Sequence, residues 1–153
     1  PPRSTLFPYT TLFRSRRNMA LIDWKPEYSV GDPAVDHEHR ELIDLVNNTA
    51  GAILGEGGSG DVSRAYGDLL RAVTAHFAHE ERQMQAADYD QMAAHKGDHE
   101  RLIDALRDLM DGEPASSPEV AERLVAVLGD WFSGHFATHD ARLHNRLGPH
   151  SHD

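Results

Sequence analysis

Eleven histidines stand out in this chain of 153 residues, and several recur at spacings that place them on one face of a helix. His95 and His99 are four residues apart, and His76 and Glu80 are separated by the same interval. Residues at i and i+4 lie one helical turn apart on the same face. Imidazole and carboxylate groups without thiolate suit iron, manganese, zinc or copper. The spacing therefore predicts a metal site built from histidine nitrogens and carboxylate oxygens.

The composition narrows the kinds of protein and site. The chain has no cysteine, which excludes disulfides, iron–sulfur clusters and thiolate zinc sites. With 39% apolar and 26% charged residues over its 153 positions, it fits one globular domain that is long enough to bury a core. No apolar run approaches the roughly 20 residues that a membrane-spanning helix needs. We therefore expect a single domain that does not span a membrane.

Apolar residues recur with the period of an α-helix along four stretches. The stretches run from about 32 to 54, 61 to 87, 91 to 110 and 117 to 145. Asp32-Pro33 and Ser117-Pro118 are typical helix starts, because a capping side chain precedes a proline of the first turn. No stretch alternates with period two, so strands are not expected. The pattern predicts an all-α fold, an antiparallel up-down four-helix bundle with a short N-terminal arm at about 20–31.

The same periodicity sorts the histidines into inward and outward sets. Five histidines and one glutamate fall on the apolar stripes: His39, His76, Glu80, His95, His99 and His135. His37, and His150 and His152 in the tail, are expected to be solvated, and His79 and His139 to lie at the boundary. A single buried histidine is usually an ordinary core residue, but a buried ionised glutamate is costly unless it is paired or bound to a cation. Because the whole set meets in one interior, we predict that it binds metal.

Four segments follow one another in a recognisable order along the chain. They are Asp36-His37-Glu38-His39, His76-Phe77-Ala78-His79-Glu80, His95-x₃-His99 and His135-x₄-Asp140. Together they resemble the signature of the hemerythrin family, over roughly residues 19–147. The resemblance implies a non-haem centre of two iron ions with an oxo or hydroxo bridge. It implies as iron ligands His39, His76, Glu80, His95, His99, His135 and Asp140.

The assignment of Asp140 rests on the resemblance and runs against helical spacing. His139, at i+4 from His135, shares its face, whereas Asp140 at i+5 lies about 140° round the helix. Charge also favours Asp140, because two ferrous ions bring four positive charges and neutral histidines offset none of them. Two bridging carboxylates and a hydroxide would leave a residual charge near +1.

The resemblance also implies where a small ligand binds. One iron would be six-coordinate through His95, His99 and His135, and the other five-coordinate through His39 and His76. The open position on the second iron is the expected O₂ site. Its expected apolar wall consists of Leu42, Phe77, Trp131, Phe132 and Phe136. This chain has phenylalanine at 132 and 136, where the family usually has leucine and isoleucine, and Glu38 in place of a usual glutamine.

By this resemblance the protein is expected to be a reversible O₂ carrier or store, and not an enzyme. A di-iron redox enzyme (ferroxidase, peroxidase or nitric-oxide-handling) would need acidic residues that lead to the irons, or a proton donor in the pocket. An O₂ or redox sensor would need an output domain. The ferritin-like di-iron pattern is disfavoured, because its paired Glu-x-x-His repeats are not found; the nearest segment is Asp36-x-x-His39.

The two ends are expected to lie outside the domain. Thr5–Ser15 resembles the translation of a sequencing adapter, so we expect residues 1–18 to be an artefactual leader, with Met19 as the start and 148–153 as a disordered tail. Without the four arginines of the leader, eleven basic residues face 25 acidic ones, a net charge of −14. Such acidity argues against nucleic acid and anionic membranes as partners, and leaves O₂ or other small diatomic or anionic ligands. With no secretory signal recognised, a cytoplasmic location is expected.

Overall fold

The computed structural model describes residues 21–55, 62–112 and 117–147. Within these ranges the chain is helical and contains no strand. A short 3-10 helix, Pro26–Tyr28, precedes four long helical segments. These are α1 (Pro33–Ile53), α2 (Val62–Ala86), α3 (Met92–Asp111) and α4 (Pro118–His135), the last continued by a π-helix (Phe136–Asp140) and α5 (Ala141–Leu147). None of the described helices is both long and apolar enough to cross a membrane.

The predicted all-α four-helix fold is confirmed, with one difference in the fourth helix. The sequence predicts one continuous α-helix to about residue 145, whereas the structure interrupts it with the five-residue π-helix. The predictions for the leader (1–18) and the tail (148–153) lie outside the described residues.

Capping side chains set the starts of α1 and α4. The Asp32 carboxylate accepts hydrogen bonds from the backbone N–H groups of Ala34 and Val35, and Pro33 occupies the first turn. Ser117 caps α4 in the same way, since its hydroxyl accepts from the N–H of Val120 at 3.2 Å. Such caps satisfy N–H groups that have no partner inside the helix, and each contributes about 1 kcal/mol.

The bundle is apolar at one end and polar at the other. α1 packs against α2 and α4, and α3 packs against α2 and α4, so the four helices close around one interior. At one end the interior holds fully buried aliphatic residues: Val46, Ala50, Leu69, Val73, Leu106, Leu124 and Leu128. Because successive helices run in opposite directions, the start of α1 and α3 and the end of α2 and α4 meet at the opposite end. That end receives all the inward histidines.

Hydrogen bonds hold the N-terminal arm against the bundle. The side-chain amide of Asn47 pairs with both backbone groups of Ile22, at 2.9 Å each. The Asp36 carboxylate accepts hydrogen bonds from the Ser29 hydroxyl and from the N–H of Val30. Tyr28, in the same arm, is buried. Asp36 therefore holds the arm in place, while His39, one turn further along α1, faces the interior.

Candidate metal centre

All seven residues that the resemblance implies as ligands are brought together in the polar end of the bundle. Their side chains are buried, with at most 7% of any one exposed. Two carboxylates, Glu80 from α2 and Asp140 from the π-helix, lie between the histidines. Around these carboxylates the ligand-type atoms form two overlapping groups.

The first group contains three histidines. Glu80 Oε1 lies 3.1 Å from His99 Nε2 and 3.5 Å from His95 Nε2. Asp140 Oδ1 lies 3.0 Å from His95 Nε2 and 2.9 Å from His135 Nε2. One nitrogen or oxygen atom from each of these five residues lies within 4.8 Å of the corresponding atoms of the others, a spacing that could surround one metal ion.

The second group contains two histidines and the same two carboxylates. Asp140 Oδ2 lies 3.1 Å from His39 Nε2, and Glu80 Oε2 lies 3.6 Å from His76 Nε2. Each carboxylate therefore directs one oxygen to each group. These four residues also place their ligand atoms within 4.8 Å of one another. A shared pair of carboxylates could bridge two neighbouring cations.

The π-helix explains how Asp140 reaches the interior. The backbone N–H of Ala141 bonds to the carbonyl of Phe136, five residues earlier, instead of the usual four. This wider turn places Asp140, five residues after His135, on the same side of the helix as His135. It also turns His139 outward, where the side chain is 21% exposed. π-turns are rare and often mark functional sites. The helical-spacing objection to Asp140 is thereby removed, since it holds only for a regular α-helix.

Most of the facing atoms are close together but make no hydrogen bond to any described residue. They are the Nε2 atoms of His39, His76, His95 and His135, Oε2 of Glu80, and both carboxylate oxygens of Asp140. Leaving one buried polar atom without a partner costs about 1–3 kcal/mol. Such a cost, repeated over a whole cluster, is readily explained if the atoms are directed at cations. The donor set, imidazole nitrogen with carboxylate oxygen, fits iron ions.

Charge at the centre is balanced between carboxylates and histidines. Burial and the charge of Asp140 would raise the pKa of the Glu80 carboxyl, but the neighbouring histidines His144, His95 and His99 hold that pKa well below its usual value. Burial opposes a charge on His135. The charge of Asp140, which lies in contact with the ring, and the hydrogen bond to Asp98 nevertheless raise the pKa of His135 to about 9. A cation that binds here must therefore displace protons from histidines.

Comparison with known proteins agrees with this geometry. The family model described as "Hemerythrin HHE cation binding domain" matches residues 30–147. This chain belongs to the hemerythrin family. A bacteriohemerythrin of Methylococcus capsulatus is 30% identical over 121 residues, which cover 76% of this chain and 89% of the relative. A bacteriohemerythrin of Ralstonia nicotianae is 26% identical and covers 82% of this chain and 88% of the relative.

A solved structure described as a leucine-to-phenylalanine mutant also matches. It superposes with a TM-score of 0.64 at 25% sequence identity, over 81% of this chain and 95% of that one. The family expected from the four sequence segments is therefore confirmed, and with it a cation-binding domain.

Three further carboxylates, which are not among the hemerythrin-type ligands, contact three of the histidine rings. Each contact is to Nδ1, the ring nitrogen that faces away from the centre. Asp98 Oδ2 lies 2.6 Å from His135 Nδ1, and Glu81 Oε2 lies 3.0 Å from His99 Nδ1. Glu38 Oε2 lies 3.3 Å from His76 Nδ1. A carboxylate in this position holds the proton on Nδ1, so that Nε2 presents its lone pair to a metal, and it fixes the ring orientation.

Sequence reasoning did not single out Glu81 or Asp98 as part of the site. Each is the chain neighbour of an inward residue, at a position where exposed helix residues are commonly acidic. The sequence carries no signal that separates them from ordinary surface acids. Residue 38 departs from the family pattern, which usually has glutamine there. The structure shows what this residue contacts, because Glu38 pairs with His76.

The aromatic residues expected to form one apolar wall are divided between the two groups. Phe77 stacks on His99 with ring centroids 3.8 Å apart, and Trp131 stacks on His135 at 4.1 Å. Both rings thus lie on the three-histidine side. Phe136 stacks on His39 at 3.8 Å.

Phe132 lies behind this last ring and stacks on Phe136 at 4.8 Å. Both phenylalanines are buried, and they form a double aromatic layer on the two-histidine side.

A surface cavity of about 270 Å³ opens between α1 and α2 and reaches His76. Its wall is formed by Glu38, Glu41, Leu42, Leu45, Ala72, Ala75, His76 and His79. Leu42, expected in the ligand pocket, therefore contacts this cavity. His37, expected to be solvated, is 70% exposed and pairs with Glu41 at 3.0 Å.

One buried histidine was missed by sequence reasoning. His144 on α5 is buried, and its Nε2 lies 3.7 Å from Glu80 Oε2. Counted from His135 along a regular α-helix it would face away from the interior. Its spacing of four residues from Asp140 is the signal that could have found it, once Asp140 is placed inward.

Proposed function

We propose that this protein binds O₂ reversibly at a non-haem di-iron centre, as an O₂ carrier or store. The observation that carries the proposal is the pair of overlapping ligand groups that share Glu80 and Asp140. A single metal ion would need only one group, and it would leave the atoms of the other buried without partners. Two shared carboxylates also supply the negative charge that two neighbouring divalent ions require.

The proposed ligands follow the two groups. His95, His99 and His135 would hold one iron, and His39 and His76 the other. Glu80 and Asp140 would contribute one oxygen to each. Two ferrous ions held in this way would supply the two electrons that reversible O₂ binding needs. The two-histidine group has one nitrogen fewer, and for this reason we place the O₂ site there.

The surrounding residues support binding without further reaction. Phe136 covers the face of His39, and Phe132 covers Phe136, so these two rings shield His39 from water. Carboxylates hold the Nδ1 protons of His76, His99 and His135 in place. A bound ligand that receives no proton from its surroundings can leave unchanged. We therefore propose a binding protein rather than an enzyme, and the bacteriohemerythrin relatives are consistent with that choice.

The test is reconstitution of the purified chain with ferrous iron in the absence of air. We expect two iron ions per chain, and a visible charge-transfer band that appears on aeration and disappears when O₂ is removed. Elemental analysis that gives one zinc per chain and almost no iron would contradict the di-iron centre. A band that forms but does not reverse would contradict the carrier role.

A second candidate function, oxidation of ferrous iron as a substrate, is favoured by one observation. Glu38 and Glu41 line the cavity that opens to the surface and reaches His76. Acidic residues that lead to the centre are what such an enzyme would need. The two candidates differ in stoichiometry: a carrier oxidises no more iron than it binds, whereas an enzyme would turn over many added ferrous ions per chain in air.

A further inference from the structure

His144 is the buried titratable residue that the hemerythrin-type ligand set does not account for. Its side chain is 3% exposed and comes from α5, one turn after Asp140. Its chain neighbour Leu143 and the nearby Met84 are fully buried and belong to a small apolar cluster at this end of the bundle. An imidazole in such surroundings costs free energy unless it serves a polar partner.

One polar group next to His144 is Glu80. His144 Nε2 lies 3.7 Å from Glu80 Oε2, less than 1 Å beyond a normal hydrogen bond of about 2.9 Å. The same oxygen lies 3.6 Å from His76 Nε2. Glu80 Oε2 therefore stands between a proposed metal ligand on one side and His144 on the other, whereas Oε1 is directed at His95 and His99.

We propose that His144 is a positioning residue of the centre, which donates its Nε2–H to Oε2 of Glu80 and holds this carboxylate in its bridging orientation. The inference rests on the proposed function, since it concerns the same site. A carboxylate oxygen has two lone pairs, so Oε2 can bind a metal with one and accept the N–H with the other.

The proximity of His144 favours the ionised form of Glu80, which is the form that can hold a cation. The contact with His144 matters most for Oε2, on the two-histidine side of the centre. Two histidines flank Oε1, but only His76 and His144 make ion pairs with Oε2 among the described residues. Without His144, Glu80 could rotate away from the two-histidine group and leave that metal held by fewer ligands.

The experiment compares His144→Leu, which keeps a similar volume but removes the donor, with His144→Gln, whose amide N–H can occupy the place of Nε2–H. Leu143→Ala is the matched control, since it removes buried packing from the adjacent position. Each protein is loaded with Co²⁺, and release of the metal to a chelator is followed by its visible spectrum. Chemical denaturation of the metal-free proteins is measured in parallel.

We expect His144→Leu to release cobalt about tenfold faster than the wild type, which is the effect of losing one hydrogen bond to a charged group. His144→Gln should stay within about threefold of the wild type. Leu143→Ala should lower the denaturation midpoint and leave the release rate nearly unchanged. Equal release rates for His144→Leu and the wild type would overturn the proposal. So would a His144→Gln variant that behaves like His144→Leu, because then the ring itself is required.

The comparison also separates this inference from the di-iron proposal. Glu80 belongs to both ligand groups, so release can be measured whether the wild type takes one ion or two. A wild type that takes one ion would contradict the di-iron centre, whereas the role of His144 is decided by the release rates alone.

Discussion

The carboxylate of Asp98 on α3 accepts a hydrogen bond from Nδ1 of His135 on α4, with the two atoms 2.6 Å apart. The hydrogen bond from His135 is the main cause that holds the pKa of Asp98 well below its usual value, and Arg101 adds a second bond at 2.8 Å. The backbone carbonyl of Asp98 also accepts from the indole N–H of Trp131. Asp98 thus fixes both the orientation of His135 and the ring that stacks on it.

Asp98→Asn should weaken metal binding without unfolding the protein. An amide in this place loses the charge that keeps the proton on His135 Nδ1, and removing such an outer partner typically costs 10–100-fold in metal affinity. Asp104→Asn, an exposed acid on the same helix, is the control and should bind metal like the wild type. Competition with a chelator measures both. An unchanged affinity in Asp98→Asn would mean that packing alone orients His135.

His39→Ala and Glu80→Ala should abolish the di-iron absorption, whereas His37→Ala should keep it. His39 is fully buried beside Asp140, and Glu80 serves both ligand groups. His37, two residues from His39, is 70% exposed on the other side of α1. Iron content and the visible spectrum after reconstitution provide the test. If His37→Ala lost the absorption and His39→Ala kept it, the proposed ligand set would be wrong in α1.

The contrast between α1 and the π-helix shows how far the sequence can predict the site. In α1, α2 and α3 the 3.6-residue period places His39, Glu80 and His95 inward, and the structure agrees. The period fails after His135, because it assumes a regular helix. A π-turn depends on tertiary packing, and local sequence gives no clear signal for it.

The π-helix therefore explains why helical periodicity did not place two residues in the interior. Asp140 was placed by its family resemblance and by charge, against helical spacing, and His144 was missed altogether. Glu81 and Asp98 were missed for a different reason: a boundary acid beside a ligand looks like any solvated acid until the facing helix is known.

Stability of the metal-free protein should fall at alkaline pH. Burial opposes a charge on His135, but Asp140 and Asp98 outweigh it and raise its pKa to about 9, from about 6.5 in an unfolded chain. A raised histidine pKa contributes stability that is fully present below about 6.5 and is lost as the pH rises through about 9. Denaturation midpoints at pH 6.5 and 9.5 measure the loss.

The metal-loaded protein is the control for this pH effect. A cation replaces the proton as partner of the buried carboxylates, so its midpoint should change much less over the same interval. His135→Gln, which cannot titrate, should also show a smaller pH dependence in its metal-free form. Equal slopes in the loaded and metal-free proteins would show that His135 does not carry this part of the stability.

Phe132→Leu should speed ligand entry to the two-histidine side of the centre. Phe132 stacks on Phe136, which in turn covers His39, so a smaller side chain opens space behind the covering ring. Loss of part of a buried aromatic ring costs about 1–3 kcal/mol, which the bundle should survive. Stopped-flow measurements should show faster binding of O₂ or azide, and autoxidation should rise because water gains access.

The matched control is Phe77→Leu, since Phe77 is equally aromatic and buried but stacks on His99 of the three-histidine group. If Phe132→Leu lowers stability while its binding rates stay at wild-type values, Phe132 serves only to pack the helices, and the proposed ligands of the centre are unaffected.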